Sequence, residues 1–504
     1  MPDTFRHHRF EHALSASRDY ADPLEVSLKV EFHGPGSLRQ TAEGFWDGGR
    51  TWKFRFSPEQ SGSWTWRSQS SDADLDGHSG WFHVVDYKGS NPLYLRGAPR
   101  LSADRRYFAQ ADGTPWFWLA CTGWNSAILS TDTEWKQYLA DRAAKRFTAI
   151  QLILHAPWRA GRQDENGEVA FTPGKPLRVN PRFFQRMDRK LDECNEAGLA
   201  AAAVVLWALT SRDKESPGAV LPDEDAARLA SYMVARYGAH HVLWLLAGDG
   251  NYAGENAERW RKIGRAVFPK SRARRPVSLH PGGMRNPWPD LKDEEWLDYL
   301  TFQTGHGSDE RKWRWNATIA GELSGYQPVR PVLDAEPNYE GHLSYQAQKV
   351  IDDFAVRKAV YYSLLSGPPA GITYGAHGIW AWARKREVPL DHPRTGEADP
   401  WRVCLNYPGA QQMKVLRDIF DRFEWWTLRP DRTLLAEEPA FEAYPMPAWS
   451  EKGKFALIYF PSTTEVRLNL GRLGGKPTLE WMDPRTGARQ AKPAGGGDWL
   501  LLIR

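Results

Sequence analysis

Read from the N-terminus, the chain changes its hydrophobic period twice. Residues 25–32, EVSLKVEF, alternate Val26, Leu28, Val30 and Phe32 with polar neighbours, the period of two that marks a half-buried strand. Residues 45–56, FWDGGRTWKFRF, place an Asp-Gly-Gly turn between two aromatic arms, which predicts a hairpin. GSWTWRSQS and GWFHVVD supply further short strands, and no helical period interrupts them. The pattern predicts a small β-sandwich over residues 1–92, running into the turn-rich YKGSNPLYLRG at 87–97.

From about residue 100 the period alternates. Eight apolar runs read as strands: WFWLACTGW (116–124), AIQLILHAPW (149–158), AAAVVLW (201–207), HVLWLLAGDG (241–250), PVSLHPG (276–282), YLTFQTGHG (299–307), PVLDAEPNYE (331–340) and GITYGAHGIW (371–380). Helical periods lie between them, most clearly over Thr131–Phe147 (whose TDTE start fits a capping box), Arg182–Gly198, Asp223–Tyr237, Glu255–Phe268 and Ala347–Ser366. Eight strands alternating with helices predict a (β/α)8 TIM barrel over residues 93–425. A doubly wound open sheet is the alternative, but no G-x-G-x-x-G follows the first strand. After FEWWTLRP (423–430) the pattern is β again, in KFALIYF, EVRLNL, TLEWMDPRTG and WLLLI, which predicts a second small sandwich over 426–504. The expected fold is therefore multidomain, a central barrel flanked by an N-terminal and a C-terminal β-sandwich.

Composition narrows the chemistry. The 504 residues are 41% hydrophobic and 25% charged, the make-up of a globular protein without a membrane span. Lys and Arg (66) nearly balance Asp and Glu (62), and the densest basic run, KSRARR at 270–275, reads as solvated surface, so no nucleic-acid partner is expected. Cys121, Cys194 and Cys404 are too few and too scattered for a disulfide framework or a zinc site. The N-terminal MPDTFRHHRFEHALSAS lacks an apolar stretch, so the expected location is cytoplasmic, or periplasmic or secreted if a leader has been removed. The oligomeric state is left open. The 25 Trp change the picture most, because flat rings with one polar edge serve cores and sugar-stacking surfaces alike.

In a barrel, chemistry belongs at the C-terminal ends of the strands. Trp124 and Asn125 follow the first strand there, His155 and Trp158 the second, and Trp207 the third. Asp249 and Asn251 follow the fourth, His280 the fifth and His306 the sixth. Asp334, Glu336 and Tyr339 follow the seventh, and His377, Trp380 and Trp382 the eighth. Two carboxylates facing each other across an aromatic cleft are what glycosidic cleavage needs, one to protonate the leaving oxygen and one to attack or activate water. The fourth and seventh strands lie nearly opposite in an eight-strand ring, so Asp249 and Glu336 are the catalytic candidates. A salt bridge or helix cap is the plain alternative for either acid. Each His stands alone on its strand, so no metal and no cofactor is expected. No G-x-x-x-x-G-K-[ST] supports ATP chemistry.

Residues 100–424 resemble the apiosidase-like glycoside hydrolases, through FAQADGTPWFWLACTGWN (108–125), WLLAGDGN (244–251), PVLDAEPNYEG (331–341) and GITYGAHGIWAW (371–382). GFWDGGRTWKFRFSPEQSGSWTW resembles the sandwich that precedes this barrel, and the tail with WMDPRTG resembles the small collagen-binding-like sandwich that follows it. The resemblance implies a carbohydrate substrate, an acid/base at Asp249 of LAGDG and a nucleophile at Glu336 of DAEP. It implies a retaining glycosidase, with a furanoside such as apiose or arabinose as the analogous sugar. Ala247 and Ala335 stand where the family commonly has Gly, which narrows the backbone near the sugar. Trp124, Trp158, Trp207 and Trp380 are then expected to stack on sugar rings, and Asn125, His155, Asn251, His280, His306, Tyr339 and His377 to hold hydroxyls. The rivals are an inverting hydrolase on the same acids, a lyase, and a non-catalytic carbohydrate-binding protein with a degenerate barrel.

Overall fold

The computed structural model describes residues 4–209, 216–270, 274–463, 465–471, 476–493 and 496–504. Eight parallel strands form its centre: β1 (Trp118–Thr122), β2 (Ala149–Ile153), β3 (Ala200–Trp207), β4 (Val242–Gly250), β5 (Val277–Pro281), β6 (Leu300–Phe302), β7 (Val332–Asp334) and β8 (Gly371–Gly375). Hydrogen-bonded neighbours run β5-β4-β3-β2-β1-β8-β7-β6. Isolated bonds close the ring between β5 and β6. Asp298 N–H donates to the Val277 carbonyl at 2.8 Å, Met284 N–H to the Gln303 carbonyl at 2.9 Å, and the Thr301 hydroxyl to the Leu279 carbonyl. β3 is buried at all eight positions, which is why its sequence is an unbroken apolar run rather than an alternation.

The helices expected from sequence are present as Asp132–Ala144, Pro181–Glu196, Asp223–Tyr237, Glu255–Val267 and Asp353–Leu365. The capping box forms: Glu134 N–H donates to Thr131 Oγ1 at 3.2 Å, and Thr131 N–H to Glu134 Oε2 at 3.0 Å. The crossover from β6 to β7 is split into two short helices, Glu310–Asn316 and Ile319–Ser324, too brief to leave a clear period in the sequence.

Seven strands form the N-terminal domain, in the order Thr4–Phe5, Ser79–Val85, Gly62–Ser70, Leu28–His33, Arg39–Gly48, Thr51–Phe56, Phe10–Ser15. The long strand Arg39–Gly48 pairs with Leu28–His33 up to Glu43 and with Thr51–Phe56 from Gly44 onward, so one strand turns the corner of the sandwich. Phe32, Trp52, Phe54, Trp64 and Phe82 fill its core.

This sandwich is fastened to the barrel by a buried ion network. Asp188 of the Pro181–Glu196 helix accepts from Arg55 at 2.9 and 2.7 Å and from Arg236 at 2.8 and 2.6 Å. Arg236 also donates to Asp47 of the sandwich at 2.7 Å, and Arg55 to Glu11 at 2.7 Å. Burial alone pushes the Asp188 carboxyl up, but Arg55 and Arg236 outweigh it and hold it well below the usual carboxylate range. Asp188→Ala removes the buried anion that Arg55 and Arg236 share, leaving each only its outer partner, Glu11 or Asp47, and is expected to destabilise the chain by about 3–5 kcal/mol in denaturant titration. Because the folded pKa is depressed, Asp188's contribution is full above the ordinary carboxylate pKa of about 4 and fades as pH falls below it.

The C-terminal sheet runs Arg429–Pro430, Met446–Ser450, Phe455–Phe460, Trp499–Ile503, Leu479–Met482, Arg489–Gln490. One face, with Leu457, Tyr459, Leu500 and Leu502, joins the barrel core; the other packs Trp449, Ile458, Leu501 and Ile503 together. EVRLNL, expected as a strand, instead lies over that second face. Val466, Leu468 and Leu470 pack on it, while among the described residues its backbone makes a single isolated bridge, Leu435 to Leu468. Arg357 of a barrel helix clamps Asp498 of the C-terminal domain at 2.8 and 2.9 Å.

Among the described residues no helix is long and apolar enough to cross a membrane. Of the basic run at 270–275, residues 271–273 lie outside the described residues. Lys270, Arg274 and Arg275 pair with Glu295, Asp298 and Glu59. Arg275 is only partly exposed, so it is not solvated surface as the run suggested.

Candidate active site

The three acids of the seventh strand do three different things. Asp334, the last residue of β7, is 1% exposed and serves structure. Its carboxylate accepts from the Thr304 hydroxyl at 2.6 Å, the Ser363 hydroxyl at 2.8 Å and the Glu336 N–H at 3.2 Å. Glu340 accepts from the Tyr374 hydroxyl at 2.7 Å and the Gly409 N–H at 3.1 Å, tying the loop after β7 to β8 and the next helix. Only Glu336 is ringed by groups from other strand ends.

Glu336 takes three donors. Its Oε1 accepts from Gln303 Nε2 at 2.8 Å and lies 3.1 Å from His306 Nε2; its Oε2 lies 3.0 Å from His280 Nε2. The backbone fixes the His306 tautomer: Nδ1 accepts from the Tyr339 N–H at 3.3 Å, so Nε2 carries the proton that meets the carboxylate. Burial alone drives the Glu336 carboxyl upward, but the hydrogen bonds from His280 and His306 prevail and hold it at about 2. This is a carboxylate kept ionised.

Asp249 is treated the opposite way. β4 bulges as it reaches the site: Leu245 pairs with Ser278, Gly248 with His280 and Gly250 with Pro281, so the regular register slips twice. Asp249 sits in the slip with φ of 51°, a left-handed conformation that Asp tolerates better than most residues. The bulge leaves Asp249 within electrostatic reach of Glu336 and His280, where protein crowds it yet solvent still reaches it. Burial first, then the negative charge of Glu336, raise its pKa to about 6, against His280, Arg159 and Arg285. Two neighbouring acids are thus pushed apart, one toward ionised and one toward protonated.

An aromatic wall adjoins them. Trp124 and Trp207 have ring centroids 5.0 Å apart, Trp158 and Trp207 5.2 Å, and Trp158 and Trp380 4.9 Å; His280 lies 5.1 Å from Trp124. The indole N–H groups of Trp158 and Trp207 are buried and make no hydrogen bond within the described residues, and the buried Tyr339 hydroxyl lies among Thr122, Trp124 and Glu336. Two glycines admit this wall: a Cβ on Gly248 would stand 2.5 Å from the Trp207 ring, and one on Gly375 2.0 Å from the Tyr339 ring.

Several residues expected to hold sugar hydroxyls are spent elsewhere. Asn125 is 0% exposed, with its amide bonded to Trp158 through N–H at 2.7 Å and C=O at 2.7 Å, so it positions that indole. His155 Nε2 accepts from the Trp207 backbone N–H at 2.9 Å, its buried Nδ1 makes no hydrogen bond among the described residues, and burial lowers its pKa to about 3. His377 uses both nitrogens, one toward the Gly396 carbonyl at 3.1 Å and one accepting from the Trp380 indole N–H at 3.1 Å, and burial lowers it to about 4. His280 and His306 face Glu336. Asn251, past the bulge, is partly exposed.

Sequence reasoning passed over Gln303, the first residue after β6 and the shortest contact to Glu336. The rule of looking at the first polar residue beyond each strand would have found it. Arg159, Arg285 and His392 were also missed. Arg159 donates to the Asp391 carbonyl at 2.8 Å, joining the loops after β2 and β8, and His392 sits edge-on to Trp380 at 6.0 Å. His392 lies in a long loop without periodic signal. Ala335, flagged as narrowing the backbone, has its carbonyl held by Gln151 Nε2 at 2.9 Å.

Residues 102–427 match the apiosidase-like catalytic domain family. The chain belongs to that family. Residues 4–71 match a domain family of unknown function, and residues 429–496 a collagen-binding-like domain family. A glycoside hydrolase structure is 20% identical, covers 82% of this chain and 98% of its own, and superposes with a TM-score of 0.70. A crystal structure of a family 5 glycoside hydrolase from Bacteroides vulgatus is 19% identical over 82% of this chain and 95% of its own, with a TM-score of 0.70. A second structure from Bacteroides vulgatus, 17% identical, covers 100% of this chain and 99% of its own, with a TM-score of 0.73, and so shares all three domains. The search of curated proteins gave no match. The apiosidase-like chain is thus glycoside hydrolase-like in family and architecture.

Proposed function

We propose that this chain is a retaining glycoside hydrolase in which Glu336 is the nucleophile and Asp249 the acid/base. The observation that carries the reading is the split between the two acids, about 2 for Glu336 and about 6 for Asp249. In the first step ionised Glu336 attacks the anomeric carbon while protonated Asp249 gives its proton to the leaving oxygen. In the second, Asp249 takes a proton from water as water displaces Glu336. Retention is favoured over inversion because a carboxylate held near 2 by three donors is a weak general base, whereas it remains a competent nucleophile and leaving group. Gln303, His280 and His306 orient the carboxylate. The unpaired indole donors supply partners for sugar hydroxyls.

The substrate we propose is a furanoside, apiose or arabinose in type, by analogy with the family. Incubation with a set of para-nitrophenyl furanosides and pyranosides, followed by proton NMR of the first-formed sugar, tests both parts. Release of the substrate's own anomer is expected. The opposite anomer would replace the retaining mechanism with an inverting one. Cleavage of pyranosides alone would overturn the sugar class, and cleavage of no glycoside would favour a binding protein.

A further inference from the structure

A groove of about 940 Å³ opens between the loop after β5, the helix Glu310–Asn316 that follows β6, and the segment joining the first two strands of the C-terminal sheet, Arg429–Pro430 and Met446–Ser450. One lining residue ties it to the candidate active site. Met284 lines it, and the Met284 N–H is bonded to the carbonyl of Gln303, whose side chain holds Glu336. Met284 has φ of 53°, an uncommon conformation for its type. The next residue, Arg285, acts on Asp249.

The wall across from Met284 is built of alternating guanidiniums and rings. Arg314 lies over the Phe441 ring at 4.2 Å, Phe441 stacks near Tyr444 at 6.3 Å and 26°, and Arg432 lies over Tyr444 at 5.5 Å. Arg314 and Arg432 pair with Glu310 and Glu438, so the forks are charge-balanced. Trp315 is half-buried, one edge against Phe302 at 6.0 Å, and also lines the groove. Arg311 is exposed on the same helix and also lines the groove.

This is not the lining of a packing defect. Here Arg311, Arg314 and Arg432 are exposed and the Trp315 and Phe441 rings partly so, while Tyr444 is buried beneath Arg432. Sugars present that same alternation, with C–H faces for rings and paired hydroxyls for guanidinium and carboxylate forks. The volume suits several sugar units, being at the upper end of small-molecule sites. From these features we infer that the groove is a distal sugar-binding site, which holds further units of a glycan whose scissile bond lies at Asp249 and Glu336. The inference takes from the proposed function that the ligand is a carbohydrate. It does not need the chain to cleave one.

The test is affinity electrophoresis of the full chain through native gels containing soluble xylan, arabinan, galactan, pectin or galactomannan. Retardation by at least one polymer is expected. Trp315→Ala and Arg311→Ala should each weaken it, with a roughly 2- to 10-fold rise in apparent dissociation constant for the lost ring. Glu336→Gln should leave it in place. Arg311→Ala alters an exposed side chain and so separates lost binding from lost folding. Retardation by no polymer, or retardation indifferent to both groove variants, would overturn the inference. Retardation that persists in a chain cleaving no glycoside would instead count against the proposed hydrolase alone.

Discussion

Glu336→Gln is expected to abolish glycoside cleavage, lowering kcat on the order of 10³-fold or more, while the melting temperature stays within about 3 °C of the wild type. The amide cannot bond covalently to the anomeric carbon, so the loss falls on kcat. The fold should survive because one of the three donors can adapt. Oε1 takes Gln303 and His306, and the His306 tautomer is fixed through Tyr339, so that side must keep its oxygen. Oε2 faces only His280, whose Nδ1 makes no hydrogen bond. His280 can move its proton to Nδ1 and accept from the new amide. Enzyme turnover and thermal unfolding, measured on the same preparation, check both halves. Near-normal turnover would remove Glu336 from the chemistry.

Asp249→Asn is expected to cost about 10²–10⁴-fold on glycosides with poor leaving groups and much less on para-nitrophenyl glycosides, whose leaving group needs no proton. Added azide, which attacks the intermediate without a general base, should restore turnover on the activated substrate. The pH profile carries the sign. The wild type needs Glu336 ionised, which holds above about 2, and Asp249 protonated, which holds below about 6. Its kcat/KM should therefore peak in acid and fall as pH rises through about 6. In Asp249→Asn the alkaline fall should vanish, because the group that titrates there is gone. Persistence of that limb in the variant would assign it to another residue.

The eight barrel strands are legible because a strand buried on both faces is an unbroken apolar run between helical periods, and that contrast recurs eight times. The two acids are legible because both end such runs. What the pattern does not carry is direction. His280, His306 and Asn125 stand at strand ends where polar groups meet ligands, yet two point at Glu336 and the third at the Trp158 backbone. Those partners come from strands and loops between 30 and 56 residues away in sequence. The bulge that turns Asp249 into the site arises from pairing with β5, which one strand's sequence does not encode. EVRLNL has the alternation of a strand, and uses it to cover a sheet face instead of joining the ladder. Burial dictated the pattern, and the ladder did not need it.

The most direct measurement is mass spectrometry of the protein after reaction with a fluorinated glycoside that forms the glycosyl intermediate faster than it breaks down. The account predicts a mass gain of one sugar per chain, located on the peptide carrying Glu336, and no gain in Glu336→Gln. A label on any other carboxylate, or none under conditions where substrate is turned over, would contradict it.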